Sequence, residues 1–125
     1  MDKISCISET QVQKENTAEF VGSGTLPVFA TPSMAALMEN AAMKAAEKLL
    51  SEGETTVGSE LNIKHLSPSP IGANIKATAT LLQQEGRKLT FSVLATEDDK
   101  TIGEGIHVRY IVNIQKFMQK LGLSI

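Results

Sequence analysis

One stretch constrains this chain more than any other: Phe29 to Gly53, FATPSMAALMENAAMKAAEKLLSEG. Its interior is alanine, methionine and leucine, all strong helix formers. Thr31 reads as the N-cap and Pro32 as the first helical residue, where a missing N–H is not needed; Gly53 reads as the residue just past the C-terminus. The spacing predicts one helix of about five turns. Ser33, Asn40, Lys44, Glu47, Lys48 and Ser51 gather on one arc, and Ala35, Met38, Ala42, Ala45, Ala46, Leu49 and Leu50 on the opposite side. Glu39 breaks this pattern, falling roughly 120° from the centre of the polar arc, on the packed side. A carboxylate there either snorkels to water or needs a partner, because burying it alone costs several kcal/mol.

A chain of 125 residues builds one core, so residues 1–125 read as a single domain. With 12 Lys and Arg against 14 Asp and Glu, the net charge of −2 gives no electrostatic case for nucleic acid or a membrane surface. A phosphate-bearing ligand must therefore be met by a local cluster. The one cysteine, Cys6, excludes an internal disulfide and fits a reducing compartment. The opening residues lack the apolar run of a signal peptide, and no stretch approaches the length of a membrane span. The expectation is a cytoplasmic protein.

In chain order, Lys3 to Lys14 alternates weakly and suits a first strand, and Glu15 to Val28, with Gly22, Gly24 and Pro27, reads as a long loop that is either a connector or part of a binding site. After the helix, Thr55 to Leu66, Ala73 to Gln84, Leu89 to Thr96 and Thr101 to Ile114 alternate or carry β-branched residues, and all four read as strands. Glu85-Gly86-Arg87-Lys88 and Glu97-Asp98-Asp99-Lys100 are short enough for antiparallel hairpins, whereas Ser67-Pro68-Ser69-Pro70 is a stiff link that cannot continue a ladder. Gln115 to Leu121 suits a short helix. A lone alanine-rich helix and about five antiparallel strands predict an α+β hotdog fold, one long central helix wrapped by a curved sheet. Its free sheet edges suit pairing into a homodimer or a dimer of dimers.

On that frame Leu61, Ile63 and His65 share the face turned to the helix. Glu39 and His65, both inward, are natural partners: the carboxylate would fix the imidazole tautomer and favour its charged form. Equally, the pair reads as structural, or His65 as a core histidine bonded to a backbone carbonyl. Thr31 adds a hydroxyl at a helix N-terminus, where amides favour developing negative charge, or is simply a cap. His107 falls on the face of Arg109 and Ile111 and reads as an exposed structural histidine. Arg87, Lys88 and Lys100 in the turns are candidates for the phosphates of a nucleotide-bearing ligand, or solvated surface charges.

Several of these residues carry a family resemblance. Pro27 with Phe29-Ala30-Thr31-Pro32 and Leu37-Met38-Glu39, then Thr56-Val57-Gly58, Ile63-Lys64-His65, Pro70-Ile71-Gly72, Glu85-Gly86-Arg87 and Gly105-Ile106-His107-Val108-Arg109, resemble the hotdog acyl-CoA thioesterases related to fluoroacetyl-CoA thioesterase. The resemblance covers about residues 25 to 115. It implies hydrolysis of a short acyl-CoA to a carboxylate and free thiol, with coenzyme A as part of the substrate and neither metal nor other cofactor. It implies that Thr31, Glu39 and His65 are catalytic and that Gly58 and Arg109 lie beside the thioester, with N–H groups near Gly58 holding the oxyanion. The family's dedicated fluoroacetyl member shapes its entry region with aromatic residues; the loop here carries Phe20 and Phe29 around Gly22-Ser23-Gly24 but does not align with that region, so fluoroacetate specificity is not carried over. An acyl-CoA-binding hotdog module without turnover is one alternative. A hotdog hydratase or dehydratase is another, but it needs an acid and a histidine together near the helix start. Nine residues of helix put Thr31 and Glu39 about 12 Å apart along its axis. They cannot touch, so His65, the substrate or a second subunit must bridge them.

Overall fold

The computed structural model describes residues 3–124. Its elements run β1 (Ser5–Gln11), α1 (Ala18–Val21), α2 (Thr31–Ala46), β2 (Glu54–His65), β3 (Asn74–Glu85), β4 (Lys88–Glu97), β5 (Lys100–Asn113) and α3 (Ile114–Lys120), with 3₁₀ turns at Lys14–Asn16 and Glu47–Leu49. The strands form one antiparallel sheet in the order β1-β3-β4-β5-β2, and α2 lies across it, mostly over β3 and β1. This is the wrapped-helix α+β arrangement that the alternation predicts, with strand limits within two or three residues of those expected.

The packing follows from side-chain size. Met34, Met38, Ala41, Ala42, Ala45 and Ala46 are the buried face of α2. They meet Ile75, Ala77 and Ala79 of β3 and Leu89, Phe91, Val93 and Ala95 of β4. Alanine on both layers lets helix and sheet approach closely. On β5 the approach is closer still, for a Cβ added to Gly103 would collide with the Met34 sulphur. The β3–β4 and β4–β5 hairpins turn on two residues each, with Gly86 at φ 61° and Asp98 at φ 52°. Glycine and aspartate both tolerate that left-handed conformation.

The helix ends depart from expectation. Ala30, not Thr31, is the N-cap: its backbone is extended (φ −77°, ψ 141°) and its carbonyl accepts from Met34 N–H at 2.9 Å. The approach is pinned by Ala30 N–H to Asn16 O and Phe29 N–H to Ser69 O, both 2.9 Å, so the helix starts one residue early. Thr31 is then the first helical residue and Pro32 the second, and the Thr31 hydroxyl is released from capping. At the other end α2 tightens into the 3₁₀ turn, and Gly53 (φ 83°) serves the turn into β2 rather than the helix terminus. The expected loop from Glu15 is also more ordered than predicted, since it holds α1.

The two sheet edges differ. On β1, the carbonyls of Ile7 and Ser5 accept from Lys44 Nζ at 2.6 Å and Lys48 Nζ at 2.9 Å, and the Ser8 hydroxyl donates to Asn40 Oδ1 at 2.6 Å. Two polar residues of α2 and Lys48 of the 3₁₀ turn that follows it thus tie down that edge. No such cover lies over β2 among the described hydrogen bonds. Its register with β5 slips between Gly58 and Glu60, leaving Ser59 as the extra residue of a bulge. The bulge changes which residues face inward: Thr56 and Gly58 before it, Leu61, Ile63 and His65 after it. Without it, His65 and Gly58, seven residues apart, would face opposite sides of the sheet.

Candidate active site

The expected site residues fall into two groups. The first lies at the start of α2. The Thr31 hydroxyl and His65 Nδ1 are 2.7 Å apart, joining the helix N-terminus to the last residue of β2. The edge of the Phe29 ring meets the imidazole, with centroids 6.4 Å apart and planes at 81°. These residues line a cavity of about 310 Å³ together with Ala18, Ser23, Val28 and the Leu66-Ser67-Pro68 link. The loop residues from α1 therefore contribute a wall. Burial pushes the His65 pKa below its ordinary 6.5, with the Ser67 backbone opposing in part. The ring is accordingly neutral at pH 7 and able to accept a proton. Its Nε2 is buried and finds no hydrogen-bond partner among the described residues.

The second group lies further along α2 and β2. A Cβ built on Gly58 would stand 3.1 Å from His107 Cε1, 3.2 Å from Glu39 Oε2 and 3.3 Å from Arg109 Nη1, so three polar side chains converge on one glycine. Arg109 is only 8% exposed. Its Nε donates to Thr56 Oγ1 at 2.9 Å, Nη2 to the Thr56 carbonyl at 3.1 Å and Nη1 to His107 Nε2 at 3.1 Å. Burial lowers the guanidinium pKa and the Glu39 carboxylate opposes that shift, but arginine stays charged. The only ion pair within 4 Å among the described residues is elsewhere, Arg87 with Glu54. Arg109 is thus a fixed cation held by neutral acceptors, and two of its five N–H donors are unused.

His107 is the main correction to the sequence reading. It is fully buried rather than exposed, with Nδ1 at 2.8 Å from the Glu60 carbonyl. Alternation had already placed it on the face of Arg109; the bulge that turns the Glu60 carbonyl toward it gives no local sequence signal. Thr56, which grips Arg109, was likewise visible only as part of a strand.

Glu39 and His65 do not meet. Gly58 pairs with Arg109, and His65 with Gly103, six steps further along the sheet, roughly 20 Å at the usual rise. The partner of His65 within the chain is Thr31, and Glu39 belongs with Gly58 and Arg109. The turn cations are divided as well: Arg87 and Lys88 flank the Arg109 end of the sheet and Lys100 the His65 end. Among the described residues no three His, Cys, Asp or Glu side chains are grouped to hold a metal ion, and no helix is long and apolar enough to cross a membrane.

Comparison with known proteins places this arrangement. Residues 12–115 match the family described as fluoroacetyl-CoA-specific thioesterase, FlK. The fluoroacetyl-CoA thioesterase of Streptantibioticus cattleyicolor is 36% identical over 94 residues, 75% of this chain and 68% of that protein. The solved structure of the fluoroacetyl-CoA thioesterase FlK superposes with a TM-score of 0.89 at 28% identity, over 98% of this chain and 95% of that one. A FlK variant solved in complex with fluoroacetate and CoA gives 0.85 at 28% identity, over 94% and 98%. A thioesterase superfamily member from Thermus thermophilus gives 0.89 at 29% identity, over 98% and 90%. With its helix, sheet order and two polar groups in place, this chain belongs to the fluoroacetyl-CoA-specific thioesterase family of the hotdog fold.

Proposed function

We propose that this protein hydrolyses a short acyl-CoA thioester, and that its active site is assembled from two copies of the chain. The observation that carries the reading is the 2.7 Å contact between the Thr31 hydroxyl and His65 Nδ1 at a helix N-terminus, beside a cavity that the same residues line. A hydroxyl bonded to a neutral imidazole is an activated nucleophile, and the helix amides favour the negative charge that develops next to it.

A single chain leaves this pair incomplete, because among the described residues Nε2 of His65 is buried without a hydrogen-bond partner and Glu39 is far away. The sheet edges suggest the completion. β1 is tied down by Lys44 and Lys48, whereas β2 is open, and its inward Leu61 and Ile63 are only half-buried. A two-fold pairing of β2 with a second β2, antiparallel and centred on Asn62, sets inward Leu61 opposite inward Ile63 and, across the Ser59 bulge, residue 65 of one copy opposite residue 58 of the other. His65 and Thr31 of one subunit then face Gly58, Glu39 and Arg109 of its neighbour. Glu39 becomes the acceptor for the orphaned Nε2–H, which fixes the tautomer with Nδ1 free to take a proton.

In the reaction so arranged, the Thr31 hydroxyl adds to the thioester carbonyl as its proton passes to His65. The oxyanion is held by the helix amides and N–H groups near Gly58, while the unused donors of Arg109 bind the acyl group beside it. Collapse breaks the C–S bond, and His65 returns the proton to the departing thiolate. Water then repeats the sequence on the acyl-threonine and releases the carboxylate. No metal or cofactor is needed beyond the coenzyme A of the substrate, and the cytoplasm, where coenzyme A and a free Cys6 thiol are both stable, is the fitting compartment. The test is release of free thiol from acyl-CoA esters of rising chain length, with wild type beside His65→Ala. The expectation is hydrolysis of the shortest esters that falls at least about a hundredfold in the variant. Binding without turnover in wild type would make the protein an acyl-CoA sensor instead.

A further inference from the structure

We propose that His107 is a positioning residue, which holds the Arg109 guanidinium in the orientation that presents its free N–H donors beside Gly58. The proposal rests on the assignment of Arg109 to the acyl-binding side of the site. It follows from what the two ring nitrogens touch. The Glu60 carbonyl, 2.8 Å from Nδ1, can only accept, so Nδ1 carries the hydrogen. Arg109 Nη1, 3.1 Å from Nε2, can only donate, so Nε2 is bare. The ring is therefore locked as the neutral Nδ1–H tautomer, and it passes the geometry of the β2 bulge to the guanidinium.

Without that acceptor, Arg109 keeps its two bonds to Thr56 but loses the one on Nη1, the nitrogen nearest Gly58. The guanidinium can then swing about Nε, and the donors beside the glycine lose their aim. Acid has the same effect. A proton on Nε2 would face Nη1 with donor against donor and place two cations 3.1 Å apart. The charged groups around the ring are Arg109 on β5, which opposes protonation, and the Glu39 carboxylate on α2, which favours it; β2 offers the Glu60 carbonyl, also favouring it. The register neighbours Leu61 and Phe91 are apolar. Burial is the largest influence and keeps the ring neutral.

Two amide variants separate the roles of the ring. In His107→Asn an amide replaces Nδ1 and nothing reaches Arg109; in His107→Gln the side-chain oxygen stands near Nε2 and still accepts from it. The expectation is a KM for acetyl-CoA raised about tenfold or more in His107→Asn, the worth of one hydrogen bond to a charged group, with kcat changed far less. His107→Gln should restore KM to near wild type and remove the rise in KM expected of wild type on acidification. In an Arg109→Ala background, His107→Asn should raise KM no further. A folded His107→Asn with wild-type KM, where Arg109→Ala is impaired, overturns the proposal alone. Wild-type KM in Arg109→Ala overturns it together with the placement of Arg109. Should the variants fail to fold, the 15N-labelled wild type decides: its two histidines are told apart with His65→Gln, and an Nε2–H tautomer for His107 at pH 7 refutes the lock.

Discussion

If the site spans two subunits, two inactive chains should rescue each other. Take His65→Ala and Glu39→Gln. Each homodimer carries the same lesion in both sites, and each should lose at least about a hundredfold in turnover, as expected for removing a general base or the group that orients it. In a heterodimer of the two, one site combines His65 from the Glu39→Gln chain with Glu39 from the His65→Ala chain and is intact; the other holds both lesions. The roughly 20 Å separation along β2 makes this all-or-none, since no side chain spans from the Gly58 group to His65 within one chain. The heterodimer, coexpressed with two affinity tags and purified through both, should therefore show about half the wild-type kcat per dimer. Acetyl-CoA hydrolysis followed by thiol release is the assay. A heterodimer no more active than either parent would refute the shared site and require Glu39 to act within its own chain or not at all.

Gly58→Ala places a methyl 3.1 to 3.3 Å from three polar groups in a strand whose backbone accepts alanine. The displaced carboxylate and guanidinium should lower kcat/KM by about ten- to a hundredfold, with circular dichroism unchanged; wild-type kcat/KM would remove Gly58 from the acyl site. The pH dependence has a definite sign. His65 and His107 both titrate below 6.5 when folded, so the unfolded chain binds more protons as the pH falls past that value. Stability should be full above about pH 6.5 and decline between there and the folded pKa values, read as a falling urea midpoint. A midpoint that rises on acidification over that interval would contradict the burial of both rings.

Much of this molecule is written in local periodicity. The alanine and methionine face of α2, the alternation of β3 and β4 and the two-residue turns each report on neighbours close in sequence, and they place helix and strands within a few residues. Thr31 and His65 were visible too, one as a hydroxyl at the helix start, the other as the polar member of an inward row. Their contact was not, because the capping pattern of Thr31-Pro32 is satisfied equally well one residue away. What shifts it is backbone pairing with Asn16 and Ser69, remote in the sequence.

The bulge at Ser59 shows why polar sites resist such reading. Period-two counting carried through β2 puts Gly58 and His65 on opposite faces, and one inserted residue puts them on the same face. The same insertion turns the Glu60 carbonyl to His107, which orients Arg109 in turn. One irregularity thus fixes both the face on which the two half-sites lie and the tautomer that aims one of them. Glu39 fits this logic from the helix side. It sits on the packed face, where Arg109, Gly58 and an open strand edge meet it, and among the described residues the carboxylate finds no ion pair within 4 Å. A half-buried acid without a close counter-ion and a buried imidazole nitrogen without a partner are each unfavourable alone. In the proposed dimer, pairing two β2 edges satisfies both at once, so the features that leave the single chain incomplete are those the shared site would use.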